Sequence, residues 1–162
     1  MKHWSSLLIL AAFAALTVAA WAFANQPTPE PPWPSRIQGF SFQPYQKDQD
    51  AIARDEPTTE QVDSDLKLLA GKTNSVRTYS TLGTLGEIPR LAARHDIKVA
   101  VGAWLDTDRE RNALEVENAI QLARKYDNVV RVIVGNEVVL RGDLPMDEIA
   151  AHLDRVRAVT RQ

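Results

Sequence analysis

The chain of 162 residues has no cysteine, which excludes a disulfide framework, a thiolate zinc site and a cysteine nucleophile at once. Histidine is nearly as scarce. His3, His95 and His152 lie far apart and form no HxH or HxxxH pair, so no histidine-based metal site is expected; His95, near a predicted helix end, is expected to cap the last carbonyls. No glycine-rich phosphate loop follows the first predicted strand, which argues against a nucleotide. Neither charge is in excess: 19 Lys and Arg stand against 21 Asp and Glu, a formal net charge of -2. The basic residues are scattered among acidic ones in no stripe or tract, so no nucleic-acid partner is expected.

Charge is missing outright from Trp4 to Ala24, "WSSLLILAAFAALTVAAWAFA", which follows Lys2. That stretch is long and apolar enough to cross a bilayer, with the N-terminus in the cytoplasm. It ends in Ala22-Phe23-Ala24, an A-x-A pattern of the kind signal peptidase cuts, yet it is longer than an ordinary signal h-region and suits an uncleaved anchor equally well. Residues 1–24 are therefore read as a signal peptide or signal anchor, and the remainder as exported. Residues 25–35, "NQPTPEPPWPS", hold five of the nine prolines and are expected to run as an extended, semi-rigid linker.

From Arg36 onward short apolar runs alternate with amphipathic stretches, the pattern of βα units on a parallel sheet. Four strands are predicted, at 36–42, 73–79, 97–104 and 129–135. The helix after the first strand opens on a capping box, Thr58 with Gln61, buries Val62, Leu66 and Leu69, and closes at Gly71. A second starts near Gly86 with Pro89 in its first turn and Ile88, Leu91 and Ala92 on one side. A third is predicted to open on a second box, Thr107 with Glu110, and to align Val116, Ala119, Ile120 and Ala123. The fourth begins at about Pro145 and aligns Met146, Ile149, Leu153 and Val156.

In parallel α/β folds, ligands bind beyond the C-terminal ends of the strands. Here those ends carry Gln43 and Tyr45, then Arg77, Tyr79 and Ser80, then Trp104 and Asp106, and finally Asn136 and Glu137. Singly, each has an ordinary structural explanation: aromatic packing, a local ion pair, a helix cap, a polar turn. On successive strand ends in one order they suit a sugar. Cleavage of a glycosidic bond uses two carboxyl groups, one to protonate the leaving oxygen and one as nucleophile or base. A glutamate partly desolvated at the end of an apolar strand suits the first role, and the neighbouring Asn136 suits a hydrogen bond to the sugar's 2-hydroxyl.

The stretches "IQGFSFQPY", "NSVRTYS", "KVAVGAWL" and above all "VRVIVGNEVVLRGD" make residues 36–162 similar to glycoside hydrolase family 17, the β-1,3-glucanase family, and within it to the bacterial branch linked to β-glucan synthesis or remodelling. The resemblance implies an α/β (β/α)8 TIM barrel, here about its first four βα units, preceded by the hydrophobic helix. It implies retaining stereochemistry on a β-glucan, without cofactor or metal, with Glu137 as general acid/base. Asn136 and, more loosely, Tyr45, Arg77, Tyr79 and Trp104 would be substrate-binding residues. It also implies a periplasmic or membrane-anchored enzyme that hydrolyses β-1,3-glucan or transfers glucosyl units. The family's nucleophile, a second glutamate on a later strand, has no counterpart in this sequence; Glu115, Glu117 and Glu148 fall on predicted helices away from the mouth. The expectation is thus an incomplete catalytic domain. The other reading is a non-catalytic exported carbohydrate-binding or interaction module.

Overall fold

The computed structural model describes residues 2–51, 53 and 55–160. Met1, at the head of the expected leader, and the last two residues of the expected domain lie outside them, and the side chain of His3 is likewise not described. The chain separates into two compact units, one up to Trp33 and one from Pro34.

The first unit is helix α1, Lys2–Ala24. Its 21-residue apolar segment Trp4–Ala24 is unburied throughout. At about 1.5 Å per residue it spans roughly 31 Å, close to the ~30 Å thickness of a bilayer core.

The second unit is an α/β layer. Strands β1 (Phe40–Ser41), β2 (Ser75–Arg77), β3 (Lys98–Ala103) and β4 (Val129–Val134) form one sheet in the order β1-β2-β3-β4. All three pairings are parallel. Helices α2 (Thr59–Leu69), α3 (Ile88–Ala93) and α4 (Arg109–Lys125) connect consecutive strands. A short helix α5 (Val138–Arg141) and a longer α6 (Met146–Val159) follow β4.

The predicted strands are present but shorter at their ends. The first pairs only through Phe40–Ser41 and an isolated bridge from Ile37 to Thr73. Between them the Ser75 hydroxyl donates to the Gln38 carbonyl at 2.6 Å, and a Cβ on Gly39 would lie 2.6 Å from that hydroxyl oxygen. Only glycine allows such close contact.

Helix α2 starts as its sequence specifies: the Thr58 hydroxyl accepts from the Gln61 amide while the Gln61 side chain accepts from the Thr58 amide. Val62 and Leu66 are fully buried, and Gly71 takes φ 74° just beyond the helix. They join Ile88, Leu91 and Ala92 of α3, Val116, Ala119 and Ile120 of α4, and Val99, Val101 and Ala103 of β3 in one core. Each large aliphatic side chain removed from water there contributes about 1.5–3 kcal/mol.

Three local expectations need correction. Helix α4 is capped by Asp108, whose carboxylate accepts from the Arg111 amide at 3.0 Å. Asp106 accepts from the Asp108 amide at 2.8 Å, a turn that leaves Thr107 outside the helix. Met146 is 66% exposed, because it precedes the inward face that Ile149, Leu153 and Val156 establish on α6. The His95 ring, rather than capping α3, meets the Asp63 carboxylate on α2 at 3.1 Å.

Candidate active site

The residues that end the strands converge at the C-terminal end of the parallel sheet. There, a cavity of about 430 Å³ is lined by Tyr45, Tyr79, Trp104 and Asp106, all singled out by sequence, and by Glu56 and Arg141, which were not. Asn136, Glu137 and Arg77 do not line it. The structure thus divides the predicted set into an aromatic cavity and a polar trio beside it.

The trio is built by turning the end of β4 twice. Gly135 has φ 78° and Glu137 φ 54°, a left-handed conformation that glycine tolerates and that a residue with a Cβ adopts at a cost of about 1–2 kcal/mol. A Cβ on Gly135 would meet the Val138 side chain at 2.6 Å, so the glycine of "GNE" is required on two grounds. Between them, the Asn136 side-chain oxygen accepts from an Arg77 Nη2–H at 2.7 Å. This bond spans two strands, from the end of β2 to the end of β4. It fixes the amide so that its NH2 remains free to donate. Arg77 lies 4.6 Å over the Tyr79 ring, and its Nε is buried without a partner. The Tyr79 hydroxyl donates to the Ser41 hydroxyl at 3.1 Å.

Glu137 differs from expectation. Its side chain is exposed rather than partly desolvated, and its carboxylate makes no hydrogen bond or ion pair among the described residues. The reason is topological: β4 is the edge strand of the sheet that the described residues form, so among them neighbours reach Glu137 from one side only.

In the cavity, the Tyr45 hydroxyl has its pKa raised above its ordinary value of 10.0, first by burial and then by the negative charge of Glu56, against an opposing effect of Arg111. Tyr45 is therefore a neutral donor across the physiological range. The Glu56 carboxylate is held by the Thr84 amide at 2.8 Å.

Two further residues shape the site and were missed by sequence reasoning. Glu115 of α4 is fully buried. It accepts from the Ser80 hydroxyl at 2.5 Å and from the Thr81 amide at 2.7 Å, anchoring the loop after β2. Arg141 donates to the Asp143 carboxylate at 2.7 Å, to the Leu105 carbonyl at 2.7 Å and to the Asn136 carbonyl, and lies 4.3 Å over the Trp104 ring. One face of the expected sugar platform is thereby covered. Of the helix glutamates named from the sequence, the other two are engaged elsewhere, Glu117 with Arg155 and Glu148 with Arg109. Among the described residues no group of three or more His, Asp or Glu is placed to hold a metal ion.

Comparison with known proteins gives three results. The profile of the BtgE/BtgC glycoside hydrolase domain matches residues 39–162. A glucan 1,3-beta-glucosidase of Schizosaccharomyces pombe is 35% identical over 105 residues, which are 61% of this chain and 32% of that protein. Two solved structures of a Rhizomucor miehei β-1,3-glucanosyltransferase share the fold at 21% identity. One, an active-site mutant in complex with laminaritriose, superposes with a TM-score of 0.62 over 76% of this chain and 45% of its own. The other, described as glycoside hydrolase family 17, does so with 0.60 over 75% and 44%. This chain spans about a third of the length of the first relative and less than half of the two structures.

Proposed function

Since the chain belongs to the BtgE/BtgC glycoside hydrolase domain family, we propose that its second unit is the acid/base half of a retaining enzyme that cleaves or transfers β-1,3-glucan. In this reading Glu137 protonates the leaving glycosidic oxygen and later deprotonates the incoming water or sugar hydroxyl. Asn136, oriented by Arg77, donates to the 2-hydroxyl, while Tyr45, Tyr79 and the uncovered face of Trp104 bind neighbouring sugar units. The observation that carries it is the 2.7 Å Arg77–Asn136 bond, which fixes the amide next to Glu137 across two strands. A polar turn with only a structural role has no need to fix an amide across two strands.

The nucleophile is assigned to a carboxyl outside these four βα units, since Glu115, Glu117 and Glu148 are each engaged. The relatives' printed activities, glucosidase and glucanosyltransferase on 1,3-linked glucan, support both hydrolysis and transfer for the complete catalytic unit. We further place the protein in the bacterial branch linked to glucan synthesis, acting outside the cytoplasm behind an N-terminal signal or anchor, which α1 and the proline-rich residues 25–35 suit in length and composition.

The test is titration of the full chain with laminaritriose, together with a laminarin hydrolysis and transfer assay. Binding without turnover, weakened at least tenfold in Trp104→Ala, is the expected result. Turnover abolished by Glu137→Gln would overturn the assignment of the nucleophile to another segment. Absence of any laminari-oligosaccharide binding would overturn the substrate class.

A further inference from the structure

Glu137 occupies a left-handed conformation that its side chain disfavours, and something must hold it there. The peptide joining Asn136 to Glu137 lies between two positive-φ residues, and its carbonyl accepts from Arg141 Nη1. Helix α5 is one turn long: the Arg141 amide donates to the Glu137 carbonyl at 2.9 Å, and Gly142 then turns the chain at φ 74°. That single turn returns the Arg141 guanidinium over the peptide it must restrain.

The same planar group is engaged at all three nitrogens and on one face. Its Nε donates to Asp143, one Nη to the Asn136 carbonyl and the other to the Leu105 carbonyl, while its face covers the Trp104 ring. One guanidinium therefore joins the end of β3, which carries the aromatic platform, to the end of β4, which carries the acid. A lysine ammonium, a point charge without the fork or the stacking plane, cannot make this set of contacts.

We infer that Arg141 is a positioning residue that sets Glu137 and Trp104 in register with each other. Its consequence for sugar rests on the function proposed above; its effect on the loop does not. Without the guanidinium the peptide relaxes, the acid moves off its line, and Trp104 loses the support behind its ring.

The experiment uses the full chain with Trp4, Trp21 and Trp33 replaced by Phe, leaving Trp104 as the only indole. In this parent and in Arg141→Lys and Arg141→Ala, two quantities are measured: laminaritriose affinity from Trp104 emission, and acrylamide quenching without ligand. Arg141→Lys is expected to lose at least tenfold in affinity and to double the quenching. In Arg141→Ala, guanidinium ion at a concentration that leaves the parent unchanged restores at least part of both, as a simple loss of folding would not permit. Affinity and quenching unchanged in Arg141→Lys, or losses that guanidinium does not restore, overturn the inference. If the parent does not respond to laminaritriose, the proposed function fails. The quenching then decides the role of Arg141 alone, with doubling in Arg141→Lys upholding it and no change refuting it.

Discussion

Two glutamates 22 positions apart in this chain are treated in opposite ways. Glu115 is fully buried on a helix, and its carboxylate takes the Thr81 amide, the Thr81 hydroxyl and the Ser80 hydroxyl. Glu137 is exposed at a strand end, in a left-handed conformation, with no partner for its carboxylate. Every acceptor site used on Glu115 serves the loop after β2; every one on Glu137 is left for something else. The buried carboxylate holds a loop, and the solvent-exposed one on a strained backbone is the one to which the proposed chemistry falls.

Removing Glu115 should have the largest effect. Glu115→Ala leaves the buried Thr81 amide and the part-buried Ser80 hydroxyl without acceptors, while the Thr81 hydroxyl keeps only the residue-115 carbonyl, and each orphaned buried group costs about 1–3 kcal/mol. A loss on the order of 3 kcal/mol or more is expected in urea unfolding, with the loop at Ser80–Thr81 opening first in hydrogen exchange. A loss below about 1 kcal/mol would mean that this carboxylate is not the loop's anchor.

That anchor was not legible in the sequence, and the reason is distance along the chain. Glu115 reaches Thr81 across 34 positions and Arg141 reaches Leu105 across 36, whereas composition and periodicity report only on neighbours. What local physics decides was legible. The Thr58–Gln61 box, the glycine past α2, the four parallel strands and the array of polar and aromatic residues at their ends all follow from near-neighbour patterns. The start of α4 shows the limit of that rule, because Asp106, Thr107 and Asp108 are three capping side chains in a row. Only the turn made by Asp106 selects Asp108. The exposure of Glu137 was hidden for another reason: it depends on which strand lies beside β4, and no residue near Glu137 encodes that.

Asn136 sharpens the contrast next, since it has one satisfied end and one free. In Asn136→Ala, Arg77 loses the acceptor at 2.7 Å while its Nε is already without one, and a loss of about 1–2 kcal/mol is expected. Asn136→Asp keeps an acceptor for the guanidinium and removes the donor. Its stability should stay within about 0.5 kcal/mol of the parent. Its laminaritriose affinity should fall roughly tenfold, a loss of about 1.4 kcal/mol. Equal affinity in the two proteins would show that the free NH2 does not meet the sugar.

Glu137 itself should break the usual direction of a substitution. Glycine accepts φ 54° without a Cβ penalty, so Glu137→Gly is expected to raise stability by about 1 kcal/mol while removing the carboxyl proposed as proton donor. Glu137→Gln, which keeps the Cβ, should be close to neutral. A destabilised Glu137→Gly would show that the carboxylate has a structural partner after all.

The smallest effect is expected at a third glutamate, Glu148, which is paired and only half-buried. It makes two bonds to Arg109, at 2.8 and 2.9 Å, joining α6 to α4. Hydrogen bonding and charge from Arg109 hold its pKa below the ordinary value of 4.5. A carboxylate whose pKa is lowered on folding contributes stability that is complete above the unfolded value and disappears as pH falls through the folded one. The gap in thermal midpoint between the parent and Glu148→Gln should therefore be small and constant from pH 7 to about 4.5, then close below it. It should also shrink at 1 M salt, because solvent and ions screen a pair at this surface. A gap that persists undiminished at pH 3 would mean that packing of the Glu148 stem, and not its charge, ties the two helices. The contrast would then extend from Glu115 and Glu137 to a glutamate whose carboxylate has no role in stability.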